Sequence, residues 1–214
     1  MVTIGRRLLP VRNFGEQIRN VASPELLPSI YRLEERLFEL KVSKNSSIAG
    51  KSLAESGLGS GFGLNVIGIM RSARKKMEPH RDEQIAVYDR LLVQGRQEDI
   101  NRASEALGLE IKRKSSVQQE DFLSDEIGIA EAVLPPRSQY AGKKLKDIYM
   151  REKYGVTVLA IWRGGRPIRA RLGEEILQLG DALLLRGAWN KLAMLGRTEE
   201  FFLVSGMEIF SNPQ

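Results

Sequence analysis

The stretch that decides the fold is LNVIGIMRSARK, residues 64–75, because something close to it returns as VTVLAIWRGGRP at residues 156–167. In the first stretch Leu64, Val66 and Met70 fall on one face of an extended chain, and Ile67 and Ile69 on the other. Apolar side chains on both faces predict a central strand covered on both sides. That strand ends at Arg71, or at Arg163 in the second stretch, where basic residues begin. Gly164, Gly165 and Pro167 mark the second basic segment as a hairpin turn. Most surface charge is merely solvated, so the bland reading of Arg71 and Arg163 is the exit from a core into a wet loop. The sharper reading is that both loops contribute to an anion-binding surface.

The likeness is not confined to these stretches. One offset of 92 residues aligns 39–95 with 131–187 without a gap, and 16 of the 57 aligned positions are identical. Ordinary composition gives about three or four such matches. The matches include Ser46/Ser138, Gly50/Gly142, Lys51/Lys143, Arg71/Arg163, Asp89/Asp181 and Gly95/Gly187. The chain is two copies of one small domain.

Within a copy, a short strand (GIAEAVL, 128–134) precedes a polar turn containing serine. In AGKKLKDIYMREKYG, Leu145, Ile148 and Tyr149 recur at helical spacing, and Gly155 supplies the C-terminal stop. Next come the strand that opened this reading, a hairpin, a further strand after an Asp turn (GDALLLRG or YDRLLVQG), and a helix starting near Glu98 or Ala188. The expected class is α+β, as two tandem β-α-β-β-β-α units related by a pseudo-twofold axis. The divisions are a connector at 1–37, a first domain at 38–110, a linker at 111–127, a second domain at 128–206 and a tail at 207–214. Gly57, Gly59 and Gly61 weaken the first helix of copy one, at about 1 kcal/mol per interior glycine relative to alanine.

Bulk properties narrow the function. The 214 residues are 42% hydrophobic and 28% charged, with net charge +6 and no cysteine. Disulfides and Cys-based metal sites are thereby excluded, and a reducing compartment is expected. No window reaches the roughly 18–20 apolar residues a membrane span needs. The basic segments lack interleaved aromatics, which speaks against nucleic acid. His80 is the only histidine and lies in a basic loop; there is no HExxH and no metal-ligand spacing, so catalysis and metal binding are not expected. Asp89 and Asp181 read as turn residues. The run GLGSGFG (57–63) fails the GxGxxG spacing.

The repeated pattern resembles the TrkA carboxy-terminal domain, also called the RCK C-domain. It runs Glu39, Ser46, Ile48-Ala49-Gly50-Lys51, Leu53, Phe62-Gly63, Val66 to Arg71, Asp89 and Leu91 in copy one. In copy two it is Glu131, Ser138, Tyr140-Ala141-Gly142-Lys143, Leu145, Tyr154-Gly155, Val158 to Arg163, Gly180-Asp181 and Leu183. Tyr88 stands in copy one where the pattern has glycine. No Rossmann motif precedes the repeats, so no NAD or ATP site is implied, and no cofactor. Tandem C-domains after TIGRRLLPVR look like the cytoplasmic insert of a bacterial sodium-coupled anion symporter, with the arginines on the inner side of the membrane.

That resemblance implies a regulatory, ligand-sensing module at the cytoplasmic face of the inner membrane. Its partner would be the transporter's transmembrane domain, and it would form homo-oligomers. In some members the cleft between paired C-domains binds a cyclic dinucleotide, through an Arg at a helix end and an Asn on a strand. Those places are Arg151 and Gly59, and Asn65 and Thr157, so each copy keeps half of the pair. The expected ligand is a small anion, cyclic dinucleotide or other, with Asn65, Arg71, Arg151 and Arg163 as its contacts. The alternatives are an assembly module that binds nothing and a subunit of a potassium transport system.

Overall fold

The structure, a computed structural model, describes residue 24 and residues 26–72, 74–77, 79–112 and 126–205. The connector before residue 24, most of the linker and the tail lie outside the described residues. A short helix α1 (Leu27–Ile30) and a 3-10 turn (Leu33–Arg36) lead into copy one. Its elements are β1 (Leu37–Val42), β2 (Asn65–Arg71), β3 (Arg74–Met77), β4 (Arg90–Gln94), α2 (Gln97–Leu107) and β5 (Leu109–Lys112). Copy two has β6 (Ile127–Val133), a 3-10 turn (Leu145–Ile148), α3 (Met150–Tyr154), β7 (Val156–Arg163) and β8 (Arg166–Ile168). A 3-10 turn (Leu172–Glu174), β9 (Ala182–Ala188), α4 (Trp189–Leu195) and β10 (Phe202–Leu203) complete it.

Each copy forms one five-stranded antiparallel sheet, in the orders β3-β2-β4-β1-β5 and β8-β7-β9-β6-β10. The two orders correspond strand for strand. The last strand of each copy follows its final helix and adds a short outer edge, an element the six-part sequence reading does not contain.

The alternation read from LNVIGIM needs correction. Pairing with β4 slips between Val66 and Gly68, and pairing of β7 with β9 slips between Val158 and Ala160. A bulge adds one residue and reverses which side chains face which side. Val66 and Ile69 therefore share the copy-one core with Leu64, while Ile67 and Met70 face away from it. Likewise Val158 and Ile161 sit in the copy-two core, and Leu159 and Ala160 face out. Both faces of both strands are buried, because the outward faces meet each other. Ile67, Met70 and Leu92 pack with Ile129, Leu159 and Leu184, and Leu27, Tyr31 and Leu33 extend the same cluster. The two copies are joined by a third core.

The first helix also differs from its sequence reading. In copy one, residues 53–62 form separate turns, closed by bonds such as Ser56 N–H to Ser52 O and Gly61 N–H to Gly57 O. In copy two the helical spacing breaks at Tyr149, which has φ 56° and is exposed, so only Leu145 and Ile148 face inward. The break falls at Gly57 in copy one, the equivalent place, with φ +71°. Gly155 does end α3 in the left-handed region, as read.

Candidate functional site

A cavity of about 410 Å³ opens between the copies, lined by both. Gly59, Asn65, Arg151 and Thr157 all border it, although no two of these are in the same element. The bulges create the setting: they turn the carbonyls of Val66 and Val158 toward the opposite copy, where they find donors. Asn65 Nδ2 donates across to Val158 O at 3.3 Å, and Gln94 Nε2 to Leu159 O at 2.9 Å. On the opposite side Thr157 replaces asparagine and its hydroxyl is too short for that reach. Arg151 bridges instead, donating from Nε to Thr157 Oγ1 (3.2 Å) and from Nη2 to Val66 O (3.2 Å). Its Nη1 donates to Pro79 O at 3.1 Å. All three of these acceptors are uncharged.

The rim carries charge. Arg171 reaches from copy two to Asp99 on α2, with Nη2–Oδ1 at 2.6 Å and Nε–Oδ2 at 3.2 Å. That bidentate contact holds the Asp99 carboxyl below its usual range and raises the guanidinium. The stem of Arg171 lies against Gly63, whose φ is +67°; a Cβ there would sit 2.7 Å from Arg171 Cγ. Glu174 accepts from Lys144 and Lys146 Nζ, each at 2.8 Å, and those bonds lower its pKa to about 2. The cavity thus has an uncharged floor of carbonyls and donors, with a rim on which Lys146 is paired with Glu174 and Arg171 with Asp99, and to which Arg151 adds a third cation.

Of the sequence-derived contacts, the structure brings Asn65 and Arg151 together here. Arg71 and Arg163 are elsewhere, and their forks are engaged. Arg71 donates to both Asp89 oxygens at 2.8 Å, and to Gln84 O. Arg163 repeats this with Asp181 at 2.8 and 2.7 Å and with Ile176 O, and adds Glu175 at 3.2 Å. The buried aspartates also accept the Ala86 and Gln178 amides, which closes the turn before β4 and β9. Each aspartate is thus a turn residue, as read, and each arginine is its counter-ion. The sequence held the signal for this pairing: Arg and Asp are identical in both copies at one separation of 18. Nothing in the repeat pointed to Arg171, Asp99 or Glu174, because Arg171 aligns with Pro79 and acquires its partner only across the interface.

The segment ahead of β1 is tied to copy two. Tyr31 donates its hydroxyl to Glu131, and burial followed by that carboxylate's charge pushes the phenol's pKa well up. Arg169 Nη1 pairs with Glu35 at 2.8 Å. No group of acidic, histidine or cysteine side chains suited to a metal exists among the described residues, and no described helix is long and apolar enough to cross a membrane.

Two stretches, residues 37–108 and 129–198, match the TrkA-C domain. An uncharacterised transporter of Synechocystis is 30% identical over 92% of this chain and 32% of its own length. Sodium/sulfate cotransporter 2 of Chlamydomonas reinhardtii is 25% identical over 71% of this chain and 19% of its own. The chain therefore spans a third or less of these relatives. Among solved structures, the RCK C domain of the potassium transport protein KtrA, in complex with cyclic diadenosine monophosphate, is similar. It shares 24% identity over 38% of this chain and 95% of that domain, with TM-score 0.35.

Proposed function

This chain belongs to the TrkA-C domain family, with two copies in tandem, and we propose that it is the cytoplasmic ligand-sensing part of a membrane transporter. The observation that carries the reading is the cavity shared by the copies, with Asn65 from one and Arg151 from the other at its wall. A small anion bound there would contact both copies at once and favour one relative orientation over another. Such a ligand can shift the arrangement by no more than its difference in affinity for the two states. The segment ahead of β1 is held to copy two by Tyr31–Glu131 and Glu35–Arg169, and through it that bias would pass to the transmembrane part. The name of the sodium/sulfate cotransporter supports a sodium-coupled anion symporter as the parent; on that reading the module would lie at the inner face of the bacterial membrane and assemble as an oligomer.

Thermal-shift titration of this chain with cyclic dinucleotides, nucleotides and sulfate tests the proposal. Stabilisation that is lost in Arg151→Ala supports it, since a ligand that binds only the folded state raises the melting temperature. No stabilisation by any of them would favour a module that only assembles.

A further inference from the structure

A second cavity, of about 660 Å³, lies where the Leu33–Arg36 turn, the start of α2 and the β7–β8 hairpin come together. Five of its ten lining residues are arginines, and Glu175 is the single acid among the ten. Two of the five are engaged: Arg163 with Asp181 and Glu175, and Arg169 with Glu35. Arg36, Arg96 and Arg166 form no ion pair with any described residue, although they converge on one space from three separate elements. Arg96 is the N-cap residue of α2, where the positive end of the helix reinforces its charge.

Convergent like charges repel; Glu35 and Asp99 act on Arg36 and Arg96 only from beyond ion-pair distance, so an arriving anion would be held by all three guanidinium groups. Guanidinium forks match the oxygens of phosphate or carboxylate in pairs. The volume exceeds that of one small oxyanion and falls in the range of ordinary small-molecule sites. We propose that this cavity binds a phosphate-bearing polyanion, either a phosphorylated small molecule or the headgroup of an anionic lipid, gripped by Arg36, Arg96 and Arg166. It is distinct from the cavity bordered by Arg151. Because Arg36 belongs to the turn ahead of β1 and Arg166 to the copy-two hairpin, the bound anion bridges the two. It strengthens the link that Arg169 and Glu35 already make.

Calorimetric titration of this chain with inorganic pyrophosphate at low ionic strength, beside sedimentation with phosphatidylglycerol vesicles, tests the site. Arg36→Gln with Arg166→Gln is expected to weaken binding about a hundredfold, about tenfold per guanidinium removed. The same hundredfold loss is expected when the double change is made in an Arg151→Ala background, which separates this site from the one above. Pyrophosphate binding lost in the double variant assigns a soluble phosphate compound. Vesicle binding alone, lost in the same variant, assigns a lipid headgroup. If the double variant does not fold, Arg166→Gln alone, an exposed position, should still cost about tenfold. Binding of neither probe by the native chain, or equal binding by native and variant chains, overturns the proposal.

Discussion

The two copies exchange glycine and tyrosine at two places without changing the backbone. Gly57 (φ +71°) matches Tyr149 (56°), and Tyr88 (68°) matches Gly180 (+82°). A left-handed conformation costs a non-glycine residue roughly 1–2 kcal/mol, so each tyrosine is held there by its surroundings. The path of the chain at these points is thus a property of the domain, and the local residue only makes it easier or harder. The cavity shows the opposite behaviour. There the copies differ at Asn65/Thr157 and Gly59/Arg151, and the difference is retained: one side has a direct Asn65–Val158 bond, the other a bridge through Arg151. Duplication preserved the scaffold, and divergence produced one asymmetric cavity from two halves.

The comparison can be broken most forcefully at the turn aspartates. Asp181→Ala removes the acceptor for two guanidinium bonds and the Gln178 amide, and is expected to cost about 3 kcal/mol. Asp89→Ala should cost less, about 2 kcal/mol, because the Arg71 side chain is 48% exposed against 25% for Arg163. Equal losses in urea denaturation would mean that the two turns do not differ as their exposures indicate.

The bridge is tested by a double-mutant cycle. Arg151→Ala should destabilise by about 2 kcal/mol. In a Thr157→Asn background, where the new amide can reach Val66 O as Asn65 reaches Val158 O, the same change should cost less than about 1 kcal/mol. Additive effects would refute the substitution of one device for the other.

Smaller effects follow at the left-handed positions. Tyr88→Gly and Tyr149→Gly are each expected to stabilise by about 1 kcal/mol, since both rings are exposed and the strain is relieved. A loss of stability in either would show that the ring contributes more than its backbone costs. The weakest signal is in acid. The folded-state pKa of Glu174 is lowered to about 2 from 4.5, so its contribution is present above pH 4.5 and fades as pH falls toward 2. Glu174→Gln should flatten the stability curve in that window, leaving the variant less stable than the native chain above pH 4.5 and level with it near pH 2.

Much of this architecture was legible in the chain. The 92-residue offset marked two domains, and apolar side chains on both faces of 64–70 announced a doubly covered strand. Gly155 and the paired Asp89 and Asp181 marked a helix stop and two turns. These features depend on neighbours a few residues away, and local sequence carries local geometry.

What the sequence determined by itself is the repeat, written in the 92-residue offset, and the α+β class and turn chemistry, written in spacings within one copy. The tertiary structure alone decided where the bulges fall, that residues 27–33 join a third core, and which arginines face a cavity. Arg71 and Arg163 looked free and are neutralised 18 residues along. Arg36, Arg96 and Arg166 are far apart along the chain and border one cavity. A charge is spent or spare according to what lies within a few ångströms of it in space, and only the packing of one copy against the other fixes that distance.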